Sequence, residues 1–194
     1  MKRILVIVDV QKDFYSPDGA LYVKGAEVIP GRIADLIRKE KFFYVVPTLD
    51  WHPYNHCSFK KFGGIWPAHC VQFTEGSALA QEIIDSLYNV FDYDMFVKGT
   101  NPDMEEYGAF IFSQDNNDGK EKIKRYFKHA DEIIVCGIAG DYCVKNTIAN
   151  ILDEVGTDPS KVFVWEEGIA SIDDGTTLRE YMSERGLKSW TPTK

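Results

Sequence analysis

The run RILVIVDV at residues 3–10 constrains the fold more than any other stretch of the chain. Apolar and mostly β-branched side chains fill almost every position, leaving no polar face. A strand with one face in water would alternate apolar with polar. A short unbroken apolar run is how a strand buried on both faces reads, as in a parallel sheet. KFFYVVPTLD (41–50), DEIIVCGI (131–138) and KVFVWEE (161–167) repeat the pattern, DMFVKG (94–99) is a shorter version, and LKSW (187–190) is expected as an edge strand.

Between these runs the spacing changes. Val28, Ile29, Ile33, Leu36 and Ile37 recur at helical intervals, with Pro30 where a first turn tolerates it. Helices are further expected over 77–89, 120–129, 140–153 and 176–186, the last with Thr177 and Glu180 at capping-box spacing. Residues 51–76 read as loop, SQDNNDG (113–119) as a turn-rich surface loop, and NPDMEEYGAF (101–110) fits neither pattern. Strands that alternate with helices predict an α/β fold, a three-layer α/β/α arrangement around a mostly parallel central sheet. With 194 residues and no linker or repeat, residues 1–194 are expected to form a single domain.

The net charge of −8 repels phosphate backbones, so no nucleic acid partner is expected, nor an anionic membrane surface. No apolar run approaches the ~20 residues of a membrane span. The N-terminal apolar stretch is interrupted at once by Asp9, Gln11, Lys12 and Asp13, which suits a first strand rather than a signal peptide, so a cytoplasmic protein is expected. Cys57, Cys70, Cys136 and Cys143 have no framework spacing, so free thiols, metal ligands or a nucleophile are expected.

Open parallel sheets bind ligands beyond the carboxyl ends of their strands. Asp9 ends the first strand, Asp50 the second and Lys98 the third; GIAGDYC follows the fourth and carries Cys143 into a helix. Each alone is an ordinary turn or core residue; together on one edge they suggest chemistry. Cys143 is the candidate nucleophile, with its thiol pKa expected to fall at the helix N-terminus and beside a lysine, and with an aspartate to take its proton. Gly137 and Gly140 allow a tight turn whose N–H groups could receive an oxyanion. Cys57, Cys70 and Cys136 are read as structural. In TLDWHPYNHC (48–57), Asp50 and His52 share a face of an extended segment, and WPAHC adds His69. Two imidazoles and one carboxylate leave open metal positions, as catalytic rather than structural sites do. His56 is either a further ligand or a solvated loop histidine.

DVQKDF, TLDWHP, WPAHC, VKGTNPD and GIAGDYCV, in this order, resemble the nicotinamidases (pyrazinamidases) of the isochorismatase-like cysteine hydrolases, over essentially the whole chain. The resemblance implies an isochorismatase-like fold and conversion of nicotinamide to nicotinate and ammonia in NAD salvage, through a thioester on Cys143. It places a catalytic triad on Asp9, Lys98 and Cys143 and an oxyanion hole at the Ala139 and Cys143 N–H groups, after a cis peptide at Ile138–Ala139. It places substrate contacts on Phe14, Trp66 and Tyr142. It implies one divalent metal on Asp50, His52 and His69, with His56 where some members add a ligand; zinc is expected, with iron and manganese as alternatives. Gly108 departs from the small hydroxyl residue of many members, and SQDNNDG and SIDDGTTL are individual to this chain, at a pocket rim or an oligomer contact. A homo-oligomer is left open. The competing readings are a related small-amide hydrolase, a vinyl ether hydrolase, against which Cys143 argues, and a non-catalytic metal-binding or thiol-sensing protein.

Overall fold

The computed structural model describes residues 1–111 and 117–193. Six strands form one sheet: β1 (Arg3–Val8), β2 (Tyr44–Asp50), β3 (Phe96–Lys98), β4 (Glu132–Ile138), β5 (Val162–Ala170) and β6 (Lys188–Ser189). Their order is β3-β2-β1-β4-β5-β6, and every pairing is parallel. The unbroken apolar run of β1 has the cause expected of it. Leu5 and Ile7 enter one core with Ile29, Ile33 and Ile37, while Ile4, Val6 and Val8 enter the other with Ile123, Phe127 and Ile148. The first core lies under α2 (Ile29–Lys39) and α3 (Gln81–Leu87); the second lies under α4 (Asn117–His129), α5 (Lys145–Asp153) and α6 (Thr176–Arg185). A four-residue helix, α1 (Lys12–Tyr15), follows β1 directly. This is the three-layer architecture expected.

Several local expectations need correction. Ser77 closes a short 3-10 turn (Glu75–Ser77) and residues 78–80 are extended, because Lys12 N donates to Ala78 O (3.0 Å) and Ala80 N to Val10 O (3.0 Å), which holds that segment beside the end of β1. Helix α4 starts at Asn117, so residues 117–119 belong to a helix rather than to the expected loop; residues 113–116 lie outside the described residues. Thr177 does not cap α6. Gly175 holds the cap position at φ 83°, and Asp173 accepts from the N–H groups of Gly175 (2.6 Å) and Thr177 (3.0 Å). The 140–153 helix opens with a turn of π-helix at Gly140–Val144 before α5 begins. Among the described residues, no helix is long and apolar enough to cross a membrane.

The crossovers leave β1 and β4 in opposite directions, which opens a crevice beyond their carboxyl ends. Gly137 makes that junction possible: it sits at φ 126°, and a Cβ there would overlap the Val8 carbonyl oxygen of β1.

Candidate active site

Asp9 leaves β1 in the left-handed region, at φ 49°, a conformation aspartate tolerates better than most residues. The turn aims its buried carboxylate across the crevice. Thr48 Oγ1 donates to Asp9 Oδ1 (2.7 Å), and Lys98 Nζ lies 2.9 Å from Asp9 Oδ2. That second contact is an ion pair outside good hydrogen-bond geometry, which leaves Oδ2 able to receive a proton. The same ammonium bonds Asp50 Oδ1 and lies 3.8 Å from Cys143 Sγ. Three strand ends and the turn after a fourth therefore meet at one buried cation.

Burial and charge compete at each group. Burial pushes the Asp9 carboxyl up, and the Lys98 charge only partly opposes it. At Asp50 burial also pushes upward, but Lys98, then His52 and His69, prevail and hold the carboxyl below its ordinary range. Burial would depress Lys98; Asp50 and Asp9 outweigh it and keep the ammonium charged well above the ordinary lysine range. Cys143 corrects the expectation of a lowered thiol pKa. Complete burial drives it well up, Lys98 opposes, and the carboxylates of Asp9 and Asp50 add to the rise. Burial thus raises the proton affinity of the thiol and of the neighbouring Asp9 carboxylate together.

Asp50 turns its other oxygen toward the histidines. Oδ2 lies 3.5 Å from His52 Nε2 and 3.9 Å from His69 Nε2, and the ligand atoms of the three residues all fall within 4.8 Å of one another. His52 Nδ1 is 2.9 Å from Gly99 O and His69 Nδ1 is 2.8 Å from Pro67 O. A carbonyl can only accept, so each ring donates from Nδ1 and turns the Nε2 lone pair inward. Two lone pairs and a carboxylate oxygen converging in a buried space form a donor set that fits a divalent cation.

His56 is held differently. Its Nε2 lies 3.0 Å from Met104 O and its Nδ1 2.7 Å from Ser58 Oγ, so both nitrogens have protein partners, and its ring sits 4.1 Å from that of His52. Burial, then His52, holds its pKa down to about 4. His52, His56 and Glu105 form a second group close enough to share an ion.

Beside these groups is a narrow cavity lined by Phe14, Trp66 and Tyr142 together with Ala139, Cys143, Asp50 and His69. Trp66 meets Tyr142 edge-on at 5.1 Å. The peptide Ile138–Ala139 is cis. Ile172, from the SIDDGTTL segment, reaches the cavity wall, and Asp141 holds it there by accepting from Ile172 N (3.0 Å).

Sequence reasoning missed several supporting residues. Gln11 pairs with the Asp50 backbone through both ends of its amide (2.7 Å each). Asp13 accepts from Cys70 N (2.7 Å) and so fixes the residue after His69. Phe59 packs against His52, His56 and His69 at 5.5–5.8 Å. Tyr107 accepts from Trp66 Nε1 (3.1 Å). Gln11 and Asp13 stand in the DVQKDF motif itself, so their proximity to Asp9 was a usable signal; the others declare themselves only in three dimensions.

Residues 3–177 match the family model described as the isochorismatase domain. The chain belongs to the isochorismatase family. Among its relatives, the nicotinamidase of Saccharomyces cerevisiae is 32% identical over 173 residues, spanning 75% of this chain and 79% of that protein. Of solved structures, PnC1 from L. infantum in complex with nicotinate aligns with a TM-score of 0.83 at 30% identity, covering 98% of this isochorismatase-family chain and 92% of that one. The pyrazinamidase of Pyrococcus horikoshii in complex with zinc aligns with a TM-score of 0.79 at 30% identity, covering 99% and 100%.

Proposed function

We propose that this chain hydrolyses nicotinamide to nicotinate and ammonia, with Cys143 as nucleophile and Asp9 as proton carrier. One observation carries the reading. The Lys98 ammonium lies 2.9 Å from the Asp9 carboxylate and 3.8 Å from the Cys143 thiol, and Cys143 lines a cavity together with Phe14, Trp66 and Tyr142. Nicotinamidases among the relatives, and a nicotinate complex among the structural neighbours, supply the substrate class. An NAD-salvage role accords with that class.

The substrate ring enters between Phe14 and Trp66, with Tyr142 closing the side. Asp9 takes the Cys143 proton while Lys98 balances the developing thiolate. The sulfur attacks the carboxamide carbon, and the N–H groups of Ala139 and Cys143 receive the oxyanion. Asp9 returns its proton to nitrogen as the C–N bond breaks and ammonia leaves. Asp9 then takes a proton from water, whose oxygen attacks the thioester carbonyl; the C–S bond breaks, nicotinate is released and Cys143 regains a proton. The raised proton affinity of Asp9 suits both halves of this cycle, since a carboxyl nearer neutrality both accepts and donates readily.

Asp50, His52 and His69 would hold one divalent ion, and zinc is our choice because a structural neighbour was solved with it. Such an ion would supply a Lewis acid. His56, with both nitrogens engaged, steadies the His52 ring rather than completing the ligand set. The test is Cys143→Ala: ammonia release from nicotinamide should disappear while metal content stays at the wild-type level. Turnover at a comparable rate would remove Cys143 from the role.

A further inference from the structure

Glu106 is buried in the segment after β3, and the mechanism above makes no use of it. It nevertheless touches both halves of the site. Its carboxylate oxygen Oε2 accepts from Gly99 N (3.0 Å), and its backbone carbonyl accepts from Lys98 Nζ (3.3 Å). Gly99 is the residue whose carbonyl receives the His52 Nδ1 proton, at 2.9 Å. It sits at φ 64°, pressed so closely on the imidazole that a Cβ would overlap the His52 ring. The two groups of Gly99 are thus held from opposite sides, its N–H by Glu106 and its C=O by His52. The Gly99 N–H belongs to the Lys98–Gly99 peptide, whose carbonyl accepts from Trp51 N (2.9 Å), so the Glu106 tie is one of two holds on the peptide that leads into the Gly99 carbonyl, and that carbonyl is what selects the His52 tautomer.

We propose that Glu106 is a positioning residue for the metal site: through Gly99 it fixes the His52 tautomer that turns Nε2 toward Asp50 and His69. The same residue seats the Lys98 ammonium through its own carbonyl. The role requires an acceptor at the position of Oε2 and no charge, so Glu106→Gln retains it. Glu106→Asp keeps the charge but draws the oxygen back by a methylene and loses the tie. This inference rests on the metal reading of Asp50, His52 and His69.

The experiment measures zinc affinity of the metal-stripped protein by competition with a chromogenic chelator, and the tautomer of His52 by 15N NMR of the imidazole in the same metal-free samples. Glu106→Ala and Glu106→Asp should each bind zinc about 10–100-fold more weakly, with Glu106→Gln within about 3-fold of wild type. The His52 signal should leave the Nδ1–H form in Ala and Asp alone. If Glu106→Ala does not fold, the Asp and Gln variants carry the comparison. Zinc affinity within about 3-fold of wild type in Glu106→Asp, or an unchanged His52 tautomer there whatever happens to the unfolding midpoint, would overturn the proposal. Wild-type protein that took up no zinc would sink the metal reading, and the His52 tautomer in Glu106→Asp would still decide the role of Glu106.

Discussion

Lys98 illustrates how single side chains set the character of this site. Two buried carboxylates face its ammonium, so removing it leaves like charges opposed in a buried space. Lys98→Met should lower stability by about 3–5 kcal/mol in urea unfolding, the cost of orphaning buried charge. A change under about 1 kcal/mol would mean that the carboxylates are solvated or share a proton without it. Asp9→Asn should cost about 100-fold or more in kcat at unchanged fold, because the amide cannot take the thiol proton; near-wild-type turnover would remove Asp9 from the mechanism. The pH profile follows from the direction of the Asp9 shift. Its proton affinity is raised, and below that pKa it is already protonated and cannot act as base. The acid limb of kcat/KM should therefore lie above the ordinary aspartate value of about 3.9 and belong to the Asp9–Cys143 pair jointly. A limb at or below that value would contradict the assignment. The identities of these groups were legible because each follows a strand. The direction of the thiol shift was not, because it depends on burial and on two carboxylates brought from residues 9 and 50.

At the scale of elements, strands were legible and helix ends were not. The apolar runs declare themselves because both faces of each central strand are covered. Helix starts depend on partners distant in sequence: residues 78–80 are drawn out straight by the segment after β1, and α6 is capped by Asp173 rather than by a threonine of its own first turn. Tight junctions behave the same way. Gly137 was legible as a glycine that allows a tight turn, but its close approach to Val8 shows only once β1 is laid beside it. Gly137→Ala should cost about 3 kcal/mol or more, since strain and overlap with the Val8 carbonyl add. Gly156→Ala is the matched control. Gly156 has φ 75° and nothing within 4 Å of an added Cβ, so only the conformational cost of about 1–2 kcal/mol applies. Equal losses in the two variants, read from urea midpoints, would show that the β1–β4 approach is not the constraint.

Across the whole molecule the strand order explains why one edge gathers the chemistry. With β1 and β4 adjacent and their crossovers diverging, residues at or just after the ends of four strands converge on a crevice, and the long 51–76 loop lines it with Trp66 and His69. The type of fold and that edge were legible from alternating strands and helices. The neighbours within the site, such as Phe59 among three imidazoles or Tyr107 on Trp66, were not, because those contacts join separate turns of the chain with no periodic pattern. The crevice is proposed to hold both a cysteine amidohydrolase site and a metal centre. The most direct test is ammonia release from nicotinamide by the purified protein, before and after a strong chelator and again after zinc is restored. Release should be rapid, should be lost with the chelator and should recover with zinc. Folded, zinc-loaded protein that releases no ammonia from nicotinamide would contradict the proposal.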